Sequence, residues 1–299
     1  MENSPQGTRY CCNETITALG CEADYWFVKR NGQPVAGLTI ITDNAAASGL
    51  PIHSYYVGIM FHVEAWNCKA NRRTENVLAI TEAVMLQLSQ HYDEIQFCLH
   101  PDISDVRGFD WFNYHTPEKG RVFISPRYTA QVMLDDNCIR KSARSSRRRE
   151  EGYADTRENL HFTTDGSVEE LISLWQKSLS RQSSKSSESE IIASKNFAHY
   201  VLQNKLGIIA TTRDANNTAQ TAGLLMFDYN QRAHLPVVGT SDTKYGGTLL
   251  YFSIMDYAAA QGYKILDFNG ANSPNRAYFK HSIGGDSQLY FYVAWNKFR

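Results

Sequence analysis

The chain has 299 residues, 42% of them apolar, enough to bury one large hydrophobic core or two ordinary ones, and we predict two domains. Its 30 basic and 31 acidic residues give a formal charge of -1, which excludes a chain-wide basic surface for bulk nucleic acid. No stretch reaches the roughly 20 apolar residues of a membrane span, and the first nine residues lack the pattern of a secretory signal. We therefore expect a soluble, cytoplasmic protein with no membrane partner.

Cysteine and histidine spacing gives no sign of a metal site. The six cysteines and nine histidines are scattered, without a CxxC or HExxH pattern. Adjacent Cys11 and Cys12 are interpreted as small buried hydrophobic residues, the alternative being a reactive or metal-binding pair. We expect reduced thiols and no bound metal.

The first half of the chain predicts a mixed sheet with helices packed on it. A hairpin is indicated over 25–42, with its turn at Asn31 and Gly32. Apolar residues recur at helical spacing over 74–91. Further strands are predicted over 53–63, 94–99, 122–124 and 128–133.

The composition changes sharply at Asp135. Residues 135–158 are densely charged and poor in large apolar side chains. We place the domain boundary here, with residues 1–137 as the N-terminal domain and 138–299 as the C-terminal domain.

Beyond the boundary the same layout starts again, so both halves are predicted to be α/β domains built on mixed sheets. Helices are predicted over 167–179, with a capping box at Ser167 and Glu170, and over 191–204 and 248–261. A Ser-rich loop is predicted over 182–190. Strands are predicted over 160–163, 206–213, 221–229, 233–239, 265–268 and 288–294.

A Gly-containing loop at 239–247 precedes the helix predicted at 248–261. The start of a helix presents unpaired N–H groups, which suit an anion or a polarised carbonyl. Gly246, Gly247 and Thr248 are therefore candidate donor-binding residues, and a tight turn at the Gly pair is the alternative.

Residues 247–285 resemble the C-terminal signature of Fem-like transferases, in which a helix ending in A…G precedes a DF.G strand end and an FK..FG turn. The matching residues are Ala260, Gly262, Asp267, Phe268, Gly270, Phe279, Lys280, Ile283 and Gly284, with Ile283 in place of the usual Phe. The basic run beginning at 139–143 resembles the helix that opens the family's second domain. Residues 51–61 resemble the early strand that lines the family's acceptor groove.

The resemblance implies a tandem GNAT-like fold, with an acceptor side in the N-terminal domain, a donor side in the C-terminal domain, and an acyl-transfer cleft in or between them. It implies transfer of an acyl or aminoacyl group to a small-molecule or peptide amine. The donor is acyl-CoA or aminoacyl-tRNA, so tRNA is a candidate partner.

Two other readings stay open: CoA-dependent N-acylation of a small metabolite or protein amine, and a non-catalytic protein that binds a ligand or RNA. The phosphate-binding loop of CoA-dependent relatives reads Gln or Arg, two residues, Gly, one residue, then Gly or Ala. The equivalent segment here, 243–248, reads TKYGGT and has both ends replaced. This departure weakens the case for acetyl-CoA and is compatible with a tRNA-borne donor.

Acyl transfer requires a neutral amine, a polarised carbonyl and a stabilised leaving group. Within the resemblance, Lys280 is predicted to stabilise the oxyanion or the donor's phosphates, the alternative being a surface lysine. Asp267 is predicted to orient or deprotonate the amine, the alternative being a cap on the following NGAN turn. Further candidate substrate-binding residues are Asn269, Gly270, Arg276, Tyr278 and Phe279.

The run 140–149 holds six basic residues in ten. Arg140 and Arg144 are candidate contacts for phosphate or tRNA, and a solvated helix face neutralised by Glu150 and Glu151 is the alternative.

Aromatic residues are candidates for the acceptor groove, and core packing is the alternative. Tyr56 is the residue we assign to substrate binding. Tyr55, Trp66, Trp111 and Phe112 are further candidates. Among all of these aromatics, Trp111 and Phe112, expected to be partly exposed, are the strongest exceptions to core packing.

Overall fold

The computed structural model describes residues 1–42, 50–134 and 140–297. The chain divides into two compact units, the first made of Met1–Arg127 and Leu289–Arg299 and the second of Tyr128–Gln288. The division falls inside two long strands, β5 (Phe123–Met133) and β11 (Asp286–Asn296), and so differs from the boundary expected at 137/138. That boundary and Cys138 lie outside the described residues.

The first unit opens with a 3-10 turn (Arg9–Cys11), helix α1 (Asn13–Ala18) and an antiparallel sheet. Its strands are β1 (Ala23–Arg30), β2 (Gln33–Ile41) and β3 (Ile59–Phe61), in the order β1-β2-β3. Positive φ angles at Asn31 and Gly32 confirm the predicted hairpin turn. The strand expected over 53–63 is shorter, because His53 and Tyr56 both adopt positive φ and cannot be extended.

The remaining elements of the first unit build its core around one long helix. They are α2 (Val63–Trp66), α3 (Ala70–His91), β4 (Glu94–Cys98), α4 (Arg107–Asp110) and a 3-10 turn at Pro117–Lys119. Strand β4 pairs antiparallel with the last five residues of β11. The apolar stripe of α3 is buried as predicted, at Val77, Ile80, Val84, Met85 and Leu88. The two short strands expected over 122–133 are one strand, β5.

The second unit contains a mixed sheet in the order β5-β10-β9-β8-β7-β6. Its strands after β5 are β6 (His161–Thr163), β7 (Gly207–Arg213), β8 (Ala219–Phe227), β9 (Arg232–Thr240) and β10 (Ile265–Asp267). Its helices are α5 (Ser145–Glu158), α6 (Val168–Arg181), α7 (Glu188–Gln203), α8 (Gly246–Ala260) and α9 (Pro274–Ser282). These pairings are antiparallel, except that β9 and β10 run parallel and are connected through α8.

Two helices of the second unit differ from the expected layout. Helix α7 begins at Glu188, inside the predicted Ser-rich loop, because Ser187 and Glu190 form a capping box like the one confirmed at the start of α6. Helix α9 occupies the segment expected to be a turn around Phe279 and Lys280, and a proline at its start favours this helix.

The site is positioned by the point at which β9 and β10 part. Asp267, the last residue of β10, is paired with His234 of β9. Beyond this pair β9 continues to Thr240, whereas the segment after Asp267 leaves the sheet. Helix α8 packs on the sheet through Leu250 and Ile254, whose side chains lie against Gly223. The parting strands therefore lie beside the buried core that α8 forms with the sheet.

Among the described helices, none is long and apolar enough to cross a membrane. Across residues 1–42, 50–134 and 140–297, no cluster of three or more His, Cys, Asp or Glu side chains is arranged to hold a metal ion.

Candidate active site

Lys280 of α9 is a buried ammonium surrounded by backbone carbonyls. Only 8% of the residue is exposed, so the surface-lysine alternative is wrong. Nζ donates to the carbonyl oxygens of Phe268 (2.8 Å), Gly270 (2.9 Å) and Asn269. Three donors on three carbonyls satisfy the group fully and tie α9 to the loop after β10.

Burial lowers the pKa of Lys280 from 10.5 to about 8. The nearby Asp267 carboxylate raises this pKa and the Arg276 guanidinium lowers it, but desolvation is the larger effect. The amine is thus charged at neutral pH, at the cost of burying that charge.

Asp267 is buried at the end of β10 and accepts hydrogen bonds on both carboxylate oxygens. Oδ1 accepts from the Thr129 hydroxyl (2.5 Å) and from the Asn269 backbone N–H (2.8 Å). Oδ2 accepts from Nε2 of Gln131 (2.9 Å). This is the geometry of the alternative interpretation, a cap on the turn that follows, and it leaves the carboxylate engaged with protein donors.

Helix α8 begins two residues earlier than predicted, so Gly246 and Gly247 lie inside it. The left-handed residue at its start is Tyr245, with φ of 64°. Gly247 is packed beside Phe279, since a Cβ added to Gly247 would lie 3.5 Å from Cζ of that ring. The start of α8 and the Phe279-Lys280 pair of α9 are therefore neighbours.

Helix α5 covers the start of α8 with an ion pair. The Thr248 hydroxyl donates to Oε2 of Glu150 (2.8 Å), and Nη1 of Arg147 donates to the same oxygen (2.6 Å). Arg147 also donates through Nε to the Ser282 hydroxyl (2.9 Å) and stacks over Phe279 at 4.9 Å. A carboxylate of the protein itself thus lies beside the helix N-terminus that was expected to receive a donor phosphate.

Arg140 and Arg144 of the basic run differ in their surroundings, since one is held in ion pairs and the other is exposed. Arg140 bonds to Glu151 and Asp256, and these two carboxylates raise its pKa, Asp256 most strongly. Arg144 donates to the exposed Tyr278 hydroxyl (2.6 Å) and lowers the pKa of that phenol. Arg144 and Tyr278 therefore form an accessible pair on the surface of α5 and α9, whereas Arg140 is largely committed to structure.

Tyr56 lies in the first unit, where it is buried in an aromatic cluster. Its ring contacts Tyr10, Tyr55, His100 and Tyr290 with centroid separations between 5.2 and 6.4 Å. Its environment is that of the core alternative.

Trp111 and Phe112, also in the first unit, differ in exposure. Trp111 is 44% exposed, as expected, but Phe112 is only 8% exposed and belongs to the core.

The structure brings together Asp267, Asn269, Gly270, Phe279 and Lys280, and sets Gly247 and Thr248 beside them. Arg276 and Tyr278 are exposed on α9. Sequence reasoning missed the residues that support this group: Thr129, Gln131, Arg147, Asp228 and His234. The available signal was a polar residue, His234, within an otherwise apolar buried strand.

No protein-family model matches this chain, and a comparison with curated proteins found no match to its sequence.

Solved structures show the fold. FemX aligns over 93% of this chain and 90% of its own, with a TM-score of 0.64 and 13% identity. L-PGS from Bacillus licheniformis aligns over 95% of this chain and 87% of its own, with a TM-score of 0.55 and 13% identity. A tandem GNAT protein from the clavulanic acid biosynthesis pathway has a TM-score of 0.50 and 13% identity, over 95% of this chain and 87% of its own. The predicted tandem GNAT-like fold, and the resemblance to Fem-like transferases at the level of fold, are confirmed.

Proposed function

We propose that this protein transfers an aminoacyl or acyl group from an activated carrier to an amine, as its resemblance to Fem-like transferases implies. The observation that carries the proposal is the buried ammonium of Lys280, held by three carbonyls where the parallel strands β9 and β10 part. A fixed cation in a water-poor setting stabilises developing negative charge more strongly than it would in water.

The proposed reaction joins a neutral amine nitrogen to the carbonyl carbon of the donor. The attack forms a C–N bond and a tetrahedral intermediate whose oxygen carries the negative charge. When the intermediate collapses, the C–O bond to the carrier breaks, or the C–S bond in a thioester. The proton lost by the nitrogen goes to the departing oxygen or sulfur, so atoms and charge balance.

In this proposal Lys280 supplies positive potential to the tetrahedral oxygen. Asp267 is assigned a supporting role, because its two oxygens already accept three hydrogen bonds from Thr129, Gln131 and Asn269. The acceptor amine therefore reaches the site neutral and, after it has attacked, loses its proton to the leaving group. The acceptor class is a small-molecule or peptide amine.

An aminoacyl-tRNA donor is favoured over acyl-CoA by the charge around α8. The Glu150 carboxylate, ion-paired with Arg147, already lies beside Thr248 at that helix terminus, so a pyrophosphate there would have to displace it. Arg144 and Arg276 are exposed on the neighbouring helices α5 and α9 and suit a polyanionic carrier. Gly270 and Phe279, both half-buried, then line the acyl end of the donor, and the buried Asn269 supports the loop.

The test begins with the melting temperature of the protein in total aminoacylated tRNA, deacylated tRNA, coenzyme A and acetyl-CoA, each at moderate and high salt. Transfer is then followed with radiolabelled aminoacyl groups and a panel of amines. We expect salt-sensitive stabilisation by aminoacyl-tRNA and label transfer that Lys280→Met abolishes. The control is Lys264→Met, which removes an exposed lysine of the same unit.

Other outcomes identify the competing functions. Stabilisation by acetyl-CoA with acetyl transfer would replace this proposal with CoA-dependent N-acylation. Binding of tRNA with no transfer to any amine would favour a non-catalytic RNA-binding protein. Equal activity of the Lys280→Met and wild-type proteins would remove Lys280 from the mechanism.

A further inference from the structure

A buried acid–imidazole pair lies behind the candidate active site. Nε2 of His234, on β9, is 2.9 Å from Oδ2 of Asp228, which follows the end of β8. Both side chains are at most 2% exposed. Burying two such polar groups costs free energy unless hydrogen bonds within the protein replace those that each group would make to water.

The other imidazole nitrogen faces the active-site loop. Because Asp228 accepts at Nε2, the neutral ring carries its proton there and Nδ1 is an acceptor. Nδ2 of Asn269 lies 3.3 Å from Nδ1 and donates to it. Hydrogen bonds thus connect the core to the loop after β10, first between Asp228 and His234 and then between His234 and Asn269.

Asn269 is the residue on which the loop's shape depends. It adopts a left-handed conformation with φ of 51°, which a side-chain hydrogen bond helps to hold. Its backbone N–H donates to Asp267, and its carbonyl is one of the three that accept from Lys280. The side chain of Asn269 is fixed from the core side, and its backbone holds Lys280.

We propose that His234 is a positioning residue: through its Nδ1 contact with Asn269 it fixes the three-carbonyl cradle that holds the Lys280 ammonium. Asp228 orients the imidazole so that Nδ1 is the acceptor. His234 takes no part in proton transfer with substrate, since it is 2% exposed and both ring nitrogens face protein groups.

The consequence for catalysis rests on the proposed function, but the cradle itself is a property of the free protein. Loss of the Nδ1 contact loosens the loop and lets water reach the lysine. Because burial is what lowers the pKa of Lys280, hydration moves it from about 8 back toward 10.5. The pKa of Lys280 therefore reports whether the cradle holds the amine, and it can be measured without a substrate.

The experiment compares two substitutions that separate the two ring nitrogens. His234→Asn keeps an acceptor oxygen at the place of Nδ1 and removes the donor to Asp228. His234→Gln keeps a donor toward Asp228 and removes the acceptor facing Asn269. The Lys280 amine is titrated by NMR in protein carrying 13C-labelled lysine, with Lys280→Met identifying the signal.

We expect the Lys280 midpoint to stay near 8 in His234→Asn and to rise by at least one pH unit in His234→Gln. Asn269→Gly tolerates the positive φ but lacks the side-chain amide, so it should raise the Lys280 midpoint in the same way. It replaces His234→Gln in the comparison if that protein does not fold. The proposal would be overturned if the Lys280 midpoint were the same in His234→Asn and His234→Gln. An unshifted Lys280 midpoint in Asn269→Gly would also overturn it. A shifted midpoint without any transferase activity would contradict only the proposed function.

Discussion

The hydroxyl of Thr248, in the first turn of α8, donates to the carboxylate of Glu150 on α5 over 2.8 Å. The positive end of the α8 dipole therefore already faces a negative charge supplied by the protein. A phosphate brought to the same place must compete with that carboxylate for the helix terminus and for its Arg147 partner. Together with the altered TKYGGT loop, this relationship gives a physical reason to expect weak binding of coenzyme A.

Replacing Glu150 by Gln should strengthen the binding of coenzyme A. Removal of one negative charge near the pyrophosphate corresponds to about 1 kcal/mol, or about fivefold in Kd. The effect should shrink at high salt, because salt screens the interaction between the half-buried Glu150 and a ligand phosphate. Calorimetric titration with coenzyme A at two ionic strengths measures it.

Glu151→Gln is the matched control, because it makes the same charge change on α5 at a residue paired with Arg140 instead of Thr248. It should leave the coenzyme A affinity unchanged. Equal gains in the two variants would mean that overall charge, and not the carboxylate at α8, governs binding.

Asp267 offers a second pair of substitutions, because its role is to accept hydrogen bonds. Asp267→Asn retains an oxygen for Thr129 and Asn269, and the Gln131 amide can turn to accept, so we expect a loss of about 1 kcal/mol in the free energy of unfolding. Asp267→Ala leaves three donors, two of them buried, without an acceptor and should cost about 3 kcal/mol. Urea denaturation at neutral pH distinguishes the two. If Asp267 were instead the general base, the pH profile of transfer by Asp267→Asn would lose the acidic limb seen in the wild type.

Local patterns in the sequence were sufficient for much of the fold. The hairpin at Asn31-Gly32, the apolar stripe of α3 and the capping box at Ser167 each depend on residues close in the chain, and each was predicted correctly. The capping box at Ser187 was present in the sequence but was obscured by the surrounding serines.

The supporting residues of the site could not be predicted, because they depend on pairing between distant strands. Thr129 reaches Asp267 across 138 positions of sequence, and His234 reaches Asn269 across 35. Lys280 was recognised through the Fem-like motif, but its burial depends on α9 forming where a turn was expected. Motif resemblance located Lys280 and Asp267, and only tertiary structure shows what holds them.

The Gly pair of α8 leads to a prediction about helix stability. A Cβ on Gly247 would meet Phe279 at an ordinary contact distance of 3.5 Å, whereas one on Gly246 would lie 3.0 Å from the Thr221 methyl. Gly247→Ala should therefore raise the free energy of unfolding by about 0.5–1 kcal/mol, because alanine is the better helix former. Gly246→Ala should gain less or be destabilising, because Thr221 must move. Thermal unfolding of both variants tests this, and a destabilised Gly247→Ala protein would contradict it.

The burial of Lys280 makes stability depend on pH in a predictable direction. Below a folded pKa of about 8 the amine is protonated in both the folded and unfolded states, so its titration has no effect there. Between about 8 and the unfolded value of 10.5, the folded protein has released a proton that the unfolded chain still binds. Stability therefore rises with pH across this window.

Comparison with Lys280→Met isolates this contribution, since other titrating groups are common to both proteins. The unfolding free energy of the wild type, relative to Lys280→Met, should increase by about 1–2 kcal/mol between pH 8 and pH 9.5. Urea denaturation of both proteins across that range measures the difference. A difference that is flat, or that falls with pH, would show that the ammonium is as well solvated as an exposed lysine. The charge would then be too strongly screened to act on a developing oxyanion.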